Sequence, residues 1–345
     1  MYSLLTSDIR AINELISKGG YCLVICEKPT AAKRVAESLK GSEFRSLSLE
    51  GVQMFNVKDA GKKYVICSAS GHLYTVSDTY KKMQVYPVLD VQWVPKHTVD
   101  KKSRSDSRIM VISKLAKGAN SFINSCDFDL EGETIGYNIL KYACGGKESE
   151  SLRARFSTLT DDDLRKAFAD AKVEDGLKLA EAGRTRHVVD FIWGVNLSRA
   201  LTESYYGSSR SFRTISVGRV QGPTLAYAVM REKEIRIFVP MPYWQITGIF
   251  DKDGCRVRAE YSKNRVDRLQ DAEKVKSECK GKNGIVKEIK NVRVSQSQPT
   301  PFNLGDMQRE AYNVLNLSPS QTLRIAESLY LQALISYPRT SSQKL

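Results

Sequence analysis

The sequence predicts a multidomain α/β protein whose N-terminal part rests on a mostly parallel sheet, followed by helical and small β regions. Three observations predict this. Short apolar runs, "YCLVIC" (21–26), "KYVICSAS" and "SFINSC", alternate with helical patterns, the signature of parallel strands joined by helices. Charged residues gather where those runs end, the edge at which such sheets carry their functional groups. The 345 residues are 41% hydrophobic and 27% charged, a globular composition long enough for two or three domains.

Residues 1–20 read as an amphipathic helix ending at Gly19-Gly20. "YCLVIC" is a buried strand that breaks at Glu27-Lys28-Pro29 and leads into the helical pattern "TAAKRVAESLK". "KYVICSASGHL" is a strand running into a loop, and "SFINSCDFD" is a strand followed by an acidic turn and the helix "EGETIGYNILKYA". Past "GGKESE", Thr160 with Asp161, Asp162 and Asp163 predicts a capping box opening a helical region to about Ser204. Residues 205–222 are rich in Gly and Ser, and Pro223 stands near the start of a helix running to about Glu234. From "YWQITGIF" to "NVRVSQSQ" the alternation predicts a small β region. "PFNLGDMQREAYNVLNL" is helical, and Ser318-Pro319-Ser320-Gln321 is a second capping box whose helix ends near Ala333. The expected organisation is 1–20 as an N-terminal helical extension, 21–150 as the α/β domain, 151–215 as a helical domain, 216–297 as a helix with a β region, and 298–345 as the start of a last domain.

The 53 Lys plus Arg outnumber 39 Asp plus Glu, for a net charge of +14. That excess predicts an anionic partner, nucleic acid first. The Cys residues at 22, 26, 67, 126, 144, 255 and 279 form no CxxC pair, and several of them, in apolar runs, suggest reduced core thiols in an intracellular protein. No signal-peptide pattern opens the chain, no apolar run approaches membrane-spanning length, and no GxxxxGK[ST] phosphate loop occurs.

Against that basic background, "SCDFDLEGE" (125–133) gathers Asp127, Asp129, Glu131 and Glu133. Such acids repel unless something positive sits among them. Asp127, Asp129 and Glu131 are two apart and would share a face in an extended segment, with Gly132 permitting a sharp turn. Hard oxygen donors without His or Cys suit Mg²⁺; a solvated acidic turn is the alternative. Glu27, near this cluster, is expected to have a raised pKa suited to a general acid. Pro338 pushes Tyr337 into an extended conformation, and Arg339 is expected to favour its phenolate and to hold a phosphate. Arg184, Arg186 and Asp190 on the long helix, Arg219 and Gln221 before a helix N-terminus, and His72 after Gly71 are candidate phosphate contacts.

Together and in order, these motifs resemble a type IA DNA topoisomerase, most like the archaeal topoisomerase I or III branch. "CLVICEKPTAAKRVAESL", "SASGHL" and "SCDFDLEGETIGYNIL" are similar to the motifs of the family's Toprim domain, which is Rossmann-like. "AGRTRHVVDFIWGVNLSRALT", "SVGRVQGPTLAYAVMRE", "PTPFNLGDMQREA" and "LISYPRTSS" resemble its strand-binding and active-site motifs, and the likeness covers nearly the whole chain after residue 20. It implies that Tyr337 attacks single-stranded DNA to form a 5′-phosphotyrosyl bond and that Glu27 protonates the departing 3′ oxygen. It further implies that Asp127, Asp129 and Glu131 hold Mg²⁺, and that Arg339 and Lys28 stabilise charge. Arg186, Asp190, Arg219 and Gln221 would bind the strand, with Arg184 and His72 as further contacts. In the family's terms, 151–215 is part of the helical single-strand-binding domain, 216–297 part of the hinge helix and β arch, and 298–345 the start of the tyrosine domain.

The implied activity is ATP-independent relaxation of negatively supercoiled DNA. The implied protein is a cytoplasmic, nucleoid-associated monomer without a membrane partner, and a helicase is a candidate partner. Leu130 stands where the family's acidic motif commonly has Arg, and Ala31 where some members carry a further lysine. Because the chain ends just past Tyr337, a fragment is expected, and the alternative reading is a fragment that binds single-stranded DNA without completing strand passage. Another Toprim enzyme, a primase or nuclease, would leave "SVGRVQGPTL" and Tyr337 unexplained. Reverse gyrase would need an ATPase domain upstream.

Overall fold

The computed structural model describes residues 2–79, 86–173 and 177–344. The chain divides into two units, Met1–Gln221 with Thr300–Leu345, and Gly222–Pro299. Its first half runs α1 (Tyr2–Lys18), β1 (Tyr21–Cys26), α2 (Pro29–Ser38), β2 (Glu43–Leu49), β3 (Val52–Asp59), β4 (Lys62–Ser68), β5 (Tyr74–Asp78), β6 (Val91–Pro95), α3 (Ser105–Ala116), β7 (Ala119–Asn124) and α4 (Leu130–Asn138). Then follow β8 (Leu152–Arg153), α5 (Asp161–Ala169), β9 (Lys172–Val173), α6 (Leu177–Ser209), α7 (Gln221–Ile237), β10 (Thr247–Lys252), β11 (Cys255–Glu260), α8 (Leu269–Cys279), α9 (Leu304–Leu315) and α10 (Pro319–Leu331).

The main sheet has seven strands in the order β2-β3-β4-β1-β7-β8-β9. Its centre, β4-β1-β7-β8, is parallel, and antiparallel strands close both edges. All of β1 is buried, as a strand covered on both faces requires. Alternation splits its side chains between two cores. Leu23 and Ile25 join Ile12 of α1 and Val111, Ile112 and Leu115 of α3. Cys22, Val24 and Cys26 join Ala32 and Val35 of α2, Leu164 and Phe168 of α5, and Tyr330 of α10. Each such aliphatic side chain stabilises the fold by about 1.5–3 kcal/mol. The second core thus draws α10, near the C-terminal end, against the face next to the first strand.

Parallel register aligns the strand ends. Cys26 pairs with Ser68, and Ile25 with Asn124. Beyond them, Ala69 N–H donates to Cys26 O at 2.9 Å and Ser125 N–H to Ile25 O at 2.8 Å. Glu27, His72 and Asp127 therefore follow neighbouring central strands at the carboxyl ends of the sheet.

Several local expectations change. Thr160 is an N-cap whose side chain bonds Thr158 Oγ1 rather than the helix backbone. Asp163 instead accepts from the backbone N–H of Ser157 and Thr158, at 3.1 and 2.8 Å, so the upstream loop outcompetes the reciprocal cap. The expected helical region from 161 is interrupted: β9 pairs antiparallel with β8, because edge pairing completes the sheet there. Residues 174–176, within that region, lie outside the described residues, as do Met1 and Leu345. Helix α6 continues to Ser209, past the expected end near Ser204. In the second unit only β10 and β11 form, joined by an Asp253-Gly254 turn with φ of 53° and 79°, the left-handed pair that a tight hairpin demands. The rest of the expected β region holds helix α8. The Ser318 capping box forms as expected, with Gln321 Oε1 accepting from Ser318 N–H at 2.9 Å.

Candidate active site

Two turns and the segment after α10 build the site. The β1–α2 turn carries Glu27 and Lys28, the β7–α4 turn carries Asp127 and Asp129, and the segment after α10 carries Tyr337. Tyr337 is tied by its own N–H to Ser157 O at 2.8 Å. Its hydroxyl donates to Asp129 Oδ2 at 2.6 Å, across 208 positions of sequence. Lys28 Nζ lies 2.9 Å from Asp127 Oδ2, 4.0 Å from Glu27 Oε1 and 5.9 Å from the centre of the Tyr337 ring. The expected Glu27, Lys28, Asp127, Asp129 and Tyr337 are thus brought together.

The β7–α4 turn is held from beneath. Asp129 is the N-cap of α4 and accepts from Gly132 N–H at 2.7 Å. Gly132 serves by closeness rather than by an unusual φ, since a Cβ there would lie 2.2 Å from Asp127 O. Below the turn, buried Arg153 donates to Glu133 Oε1 at 2.7 Å, to Asn124 O and to Asp127 O. Sequence reading did not find Arg153, because its partner Glu133 lies twenty positions away and only the packing buries the two together.

The environment sets the protonation states. Burial first, then the charges of Asp127 and Asp129, push Glu27 up to about 7, although Lys28 and Arg339 pull it down. The rise was expected, but burial rather than the acids is its main cause. Tyr337 moves against expectation. Burial, its bond to Asp129 and the charges of Asp127, Asp129 and Glu27 raise its pKa well above 10. Arg339, whose guanidinium pairs with Glu327 Oε1 at 2.9 Å, does not outweigh them. Asp127 raises Lys28 above its ordinary value although burial opposes it, so the ammonium stays charged. Tyr330, also missed by sequence reading, packs edge-on against Tyr337 at 5.1 Å and donates to Asp127 Oδ1 at 3.4 Å.

The four acids of the cluster face different partners. Asp127 faces Lys28, Asp129 faces Tyr337, and Glu133 is paired with Arg153. Glu131, in the first turn of α4, turns away to His72 Nε2 and His187 Nε2, each 2.9 Å from its Oε2, and to Arg186. Helix geometry replaces the extended segment that would have aligned 127, 129 and 131. Protein cations, not only a metal, therefore answer the crowding of acids. Asp127 and Asp129 fit Mg²⁺, which usually takes one or two carboxylates and keeps waters and phosphate oxygens, while Glu131 is engaged by the two imidazoles and Arg186.

The strand-binding candidates are placed as follows. Arg186 Nε lies 3.6 Å from Asp190 Oδ2, and Arg219 bonds Asp190 Oδ1. The bond from Arg219 holds Asp190 below its ordinary pKa. Gln221 is exposed at the start of α7. Arg184 is engaged internally, stacked on Trp93 at 4.7 Å and bonded to Asn138 and Tyr142. His72 is held below its ordinary pKa by burial and by His187. Among the described residues, no helix is long and apolar enough to cross a membrane.

The sequence matches two family models: one described as Toprim domain over residues 22–159, and one described as DNA topoisomerase over residues 175–345. It is 42% identical over 324 residues to DNA topoisomerase 1 of Pyrococcus horikoshii, covering 94% of this chain and 47% of that protein. To DNA topoisomerase 1 of Methanocaldococcus jannaschii it is also 42% identical, covering 94% of this chain and 42% of that one. The chain therefore spans under half the length of these relatives. Among solved structures, full-length topoisomerase I from Thermotoga maritima matches with a TM-score of 0.62 and 24% identity, over 94% of this chain and 50% of that one, which is a likeness of fold.

Proposed function

We propose, from the premise that this chain belongs to the type IA DNA topoisomerase family, that Tyr337 is the nucleophile of a reversible break in single-stranded DNA. The observation that carries the proposal is the Tyr337–Asp129 contact at 2.6 Å. The phenolic oxygen bonds to a backbone phosphorus while the bond from phosphorus to the 3′ oxygen breaks. Asp129 takes the phenolic proton and releases it to solvent, so that its carboxylate is again anionic. Glu27, largely protonated below its pKa of about 7, gives its proton to the departing 3′ oxygen. Resealing reverses both transfers. Lys28 and Arg339 supply positive charge beside the phosphate. Mg²⁺ held by Asp127 and Asp129 would further neutralise that charge.

The phosphotyrosyl ester keeps the energy of the broken linkage, so relaxation of negatively supercoiled DNA needs no ATP. Arg186, Arg219 and Gln221 are proposed to track the strand backbone, and strand passage is assigned to the whole protein. A second reading, a piece that binds single strands without passing them, is supported by the share of its relatives the chain covers.

The test uses a single-stranded oligonucleotide labelled at its 3′ end. Wild type should retain label covalently, and Tyr337→Phe should lose all adduct while binding the oligonucleotide with unchanged affinity. An adduct that persists in Tyr337→Phe refutes the assignment.

A further inference from the structure

Glu131, turned away from the other acids, stands in a second cluster with different chemistry. Among the described residues, His72, Glu131 and His187 are the group of three whose ligand atoms lie within 4.8 Å of one another. They come from three elements: the loop after β4, the first turn of α4, and the middle of α6. Gly183 makes the approach possible, because a Cβ there would lie 2.0 Å from Thr134 Oγ1 and 2.9 Å from Leu130 O. His187 is one turn further along the same face of α6, so the close packing of α6 on α4 delivers its ring to Glu131.

We propose that His72, His187 and Glu131 form a site for a divalent first-row transition ion such as Zn²⁺, separate from the hard-cation position at Asp127 and Asp129. Three observations support it. Both imidazole Nε2 atoms point at the same carboxylate oxygen, each at 2.9 Å. Ligands about 2.1 Å from one ion are about 3.0 Å apart at a right angle and about 3.4 Å apart at a tetrahedral one, so the pairs already have the spacing of neighbouring ligands. Arg186 engages the other oxygen, Oε1, at 3.3 Å, which fixes the carboxylate in a one-oxygen posture. The three side chains are 25–31% exposed, leaving room for water or a phosphate oxygen to complete the shell.

Two nitrogens and one oxygen select against Mg²⁺, which demands oxygen, and favour ions that accept imidazole. Each imidazole would bind the ion through Nε2 and carry its proton on Nδ1. Binding would pin α6 to the carboxyl ends of the strands that lead to Glu27 and Asp127. None of this depends on Tyr337 being the nucleophile.

The test titrates metal-free protein with Zn²⁺ by calorimetry, in a Cys255→Ser, Cys279→Ser background because these two thiols are free and exposed. One site should appear, unaffected by Mg²⁺ in large excess and retained in Asp127→Asn. His72→Ala and His187→Ala should each weaken it by at least roughly tenfold, with circular dichroism confirming the fold. Co²⁺ loaded into the same background should show visible absorption of an imidazole-ligated ion, and histidine ¹⁵N shifts should report the change of tautomer, so the proposal stays testable even if one variant fails to fold. No Zn²⁺ site, a site that survives both histidine substitutions, or displacement by Mg²⁺ would overturn it.

Discussion

Replacing Glu27 by Gln should stabilise the metal-free protein at alkaline pH while abolishing its cleavage chemistry. The Glu27 side chain is 16% exposed, and its carboxyl titrates at about 7 against an ordinary 4.5. Below pH 4.5 the acid is neutral in both folded and unfolded chains and costs nothing. Between 4.5 and 7 the unfolded chain ionises while the folded one holds its proton, so stability falls as pH rises. Above 7 the folded protein carries the full cost. Each tenfold difference in proton affinity is worth about 1.4 kcal/mol, so the cost levels off near 3 kcal/mol. Glutamine keeps the shape without the charge. Urea unfolding in EDTA, followed by circular dichroism, should show Glu27→Gln equal to wild type at pH 4 and more stable by about 2–3 kcal/mol at pH 8.5. The covalent adduct with 3′-labelled oligonucleotide should fall at least about a hundredfold. A difference between the two proteins that does not change from pH 4 to pH 8.5 would refute the burial argument.

Other substitutions probe what supports the site. Arg153→Met leaves the Glu133 carboxylate buried and unpaired and should cost about 3–5 kcal/mol in thermal unfolding; adding Glu133→Leu should recover most of it. Gly132→Ala drives a methyl group into the Asp127 carbonyl. It should cost at least about 2 kcal/mol and remove the adduct, since it shifts the turn carrying Asp127 and Asp129. Single-strand affinity should fall steeply with salt, and Arg219→Ala should lessen the log–log slope by about 0.7, the share of one phosphate contact. A slope unchanged by that substitution would take Arg219 out of the strand-binding set.

The central strands, the helices after them and the two turns carrying Glu27 and Asp127 were legible because they rest on local patterns: an apolar run, a breaking Pro or Gly, then helical periodicity. The Ser318 cap was legible for the same reason, since its partners are three residues apart. Strand β9 and helix α8 were not, because edge pairing overrode the local pattern in one and strand-like alternation hid a helix in the other. Two of the chain's three histidines converge on Glu131. Nothing local to either position points to that carboxylate.

By itself, then, the sequence determined which chemical groups this protein owns, which family its ordered motifs resemble, and where its strands must stop. Only the tertiary structure decided how those groups are shared out. Tyr337 meets Asp129 and Tyr330 meets Asp127 across more than two hundred residues, while Glu131 leaves its neighbours for two histidines. Such pairings follow from which faces of the sheet and helices pack together, and that packing minimises the free energy of the whole chain rather than of any one segment.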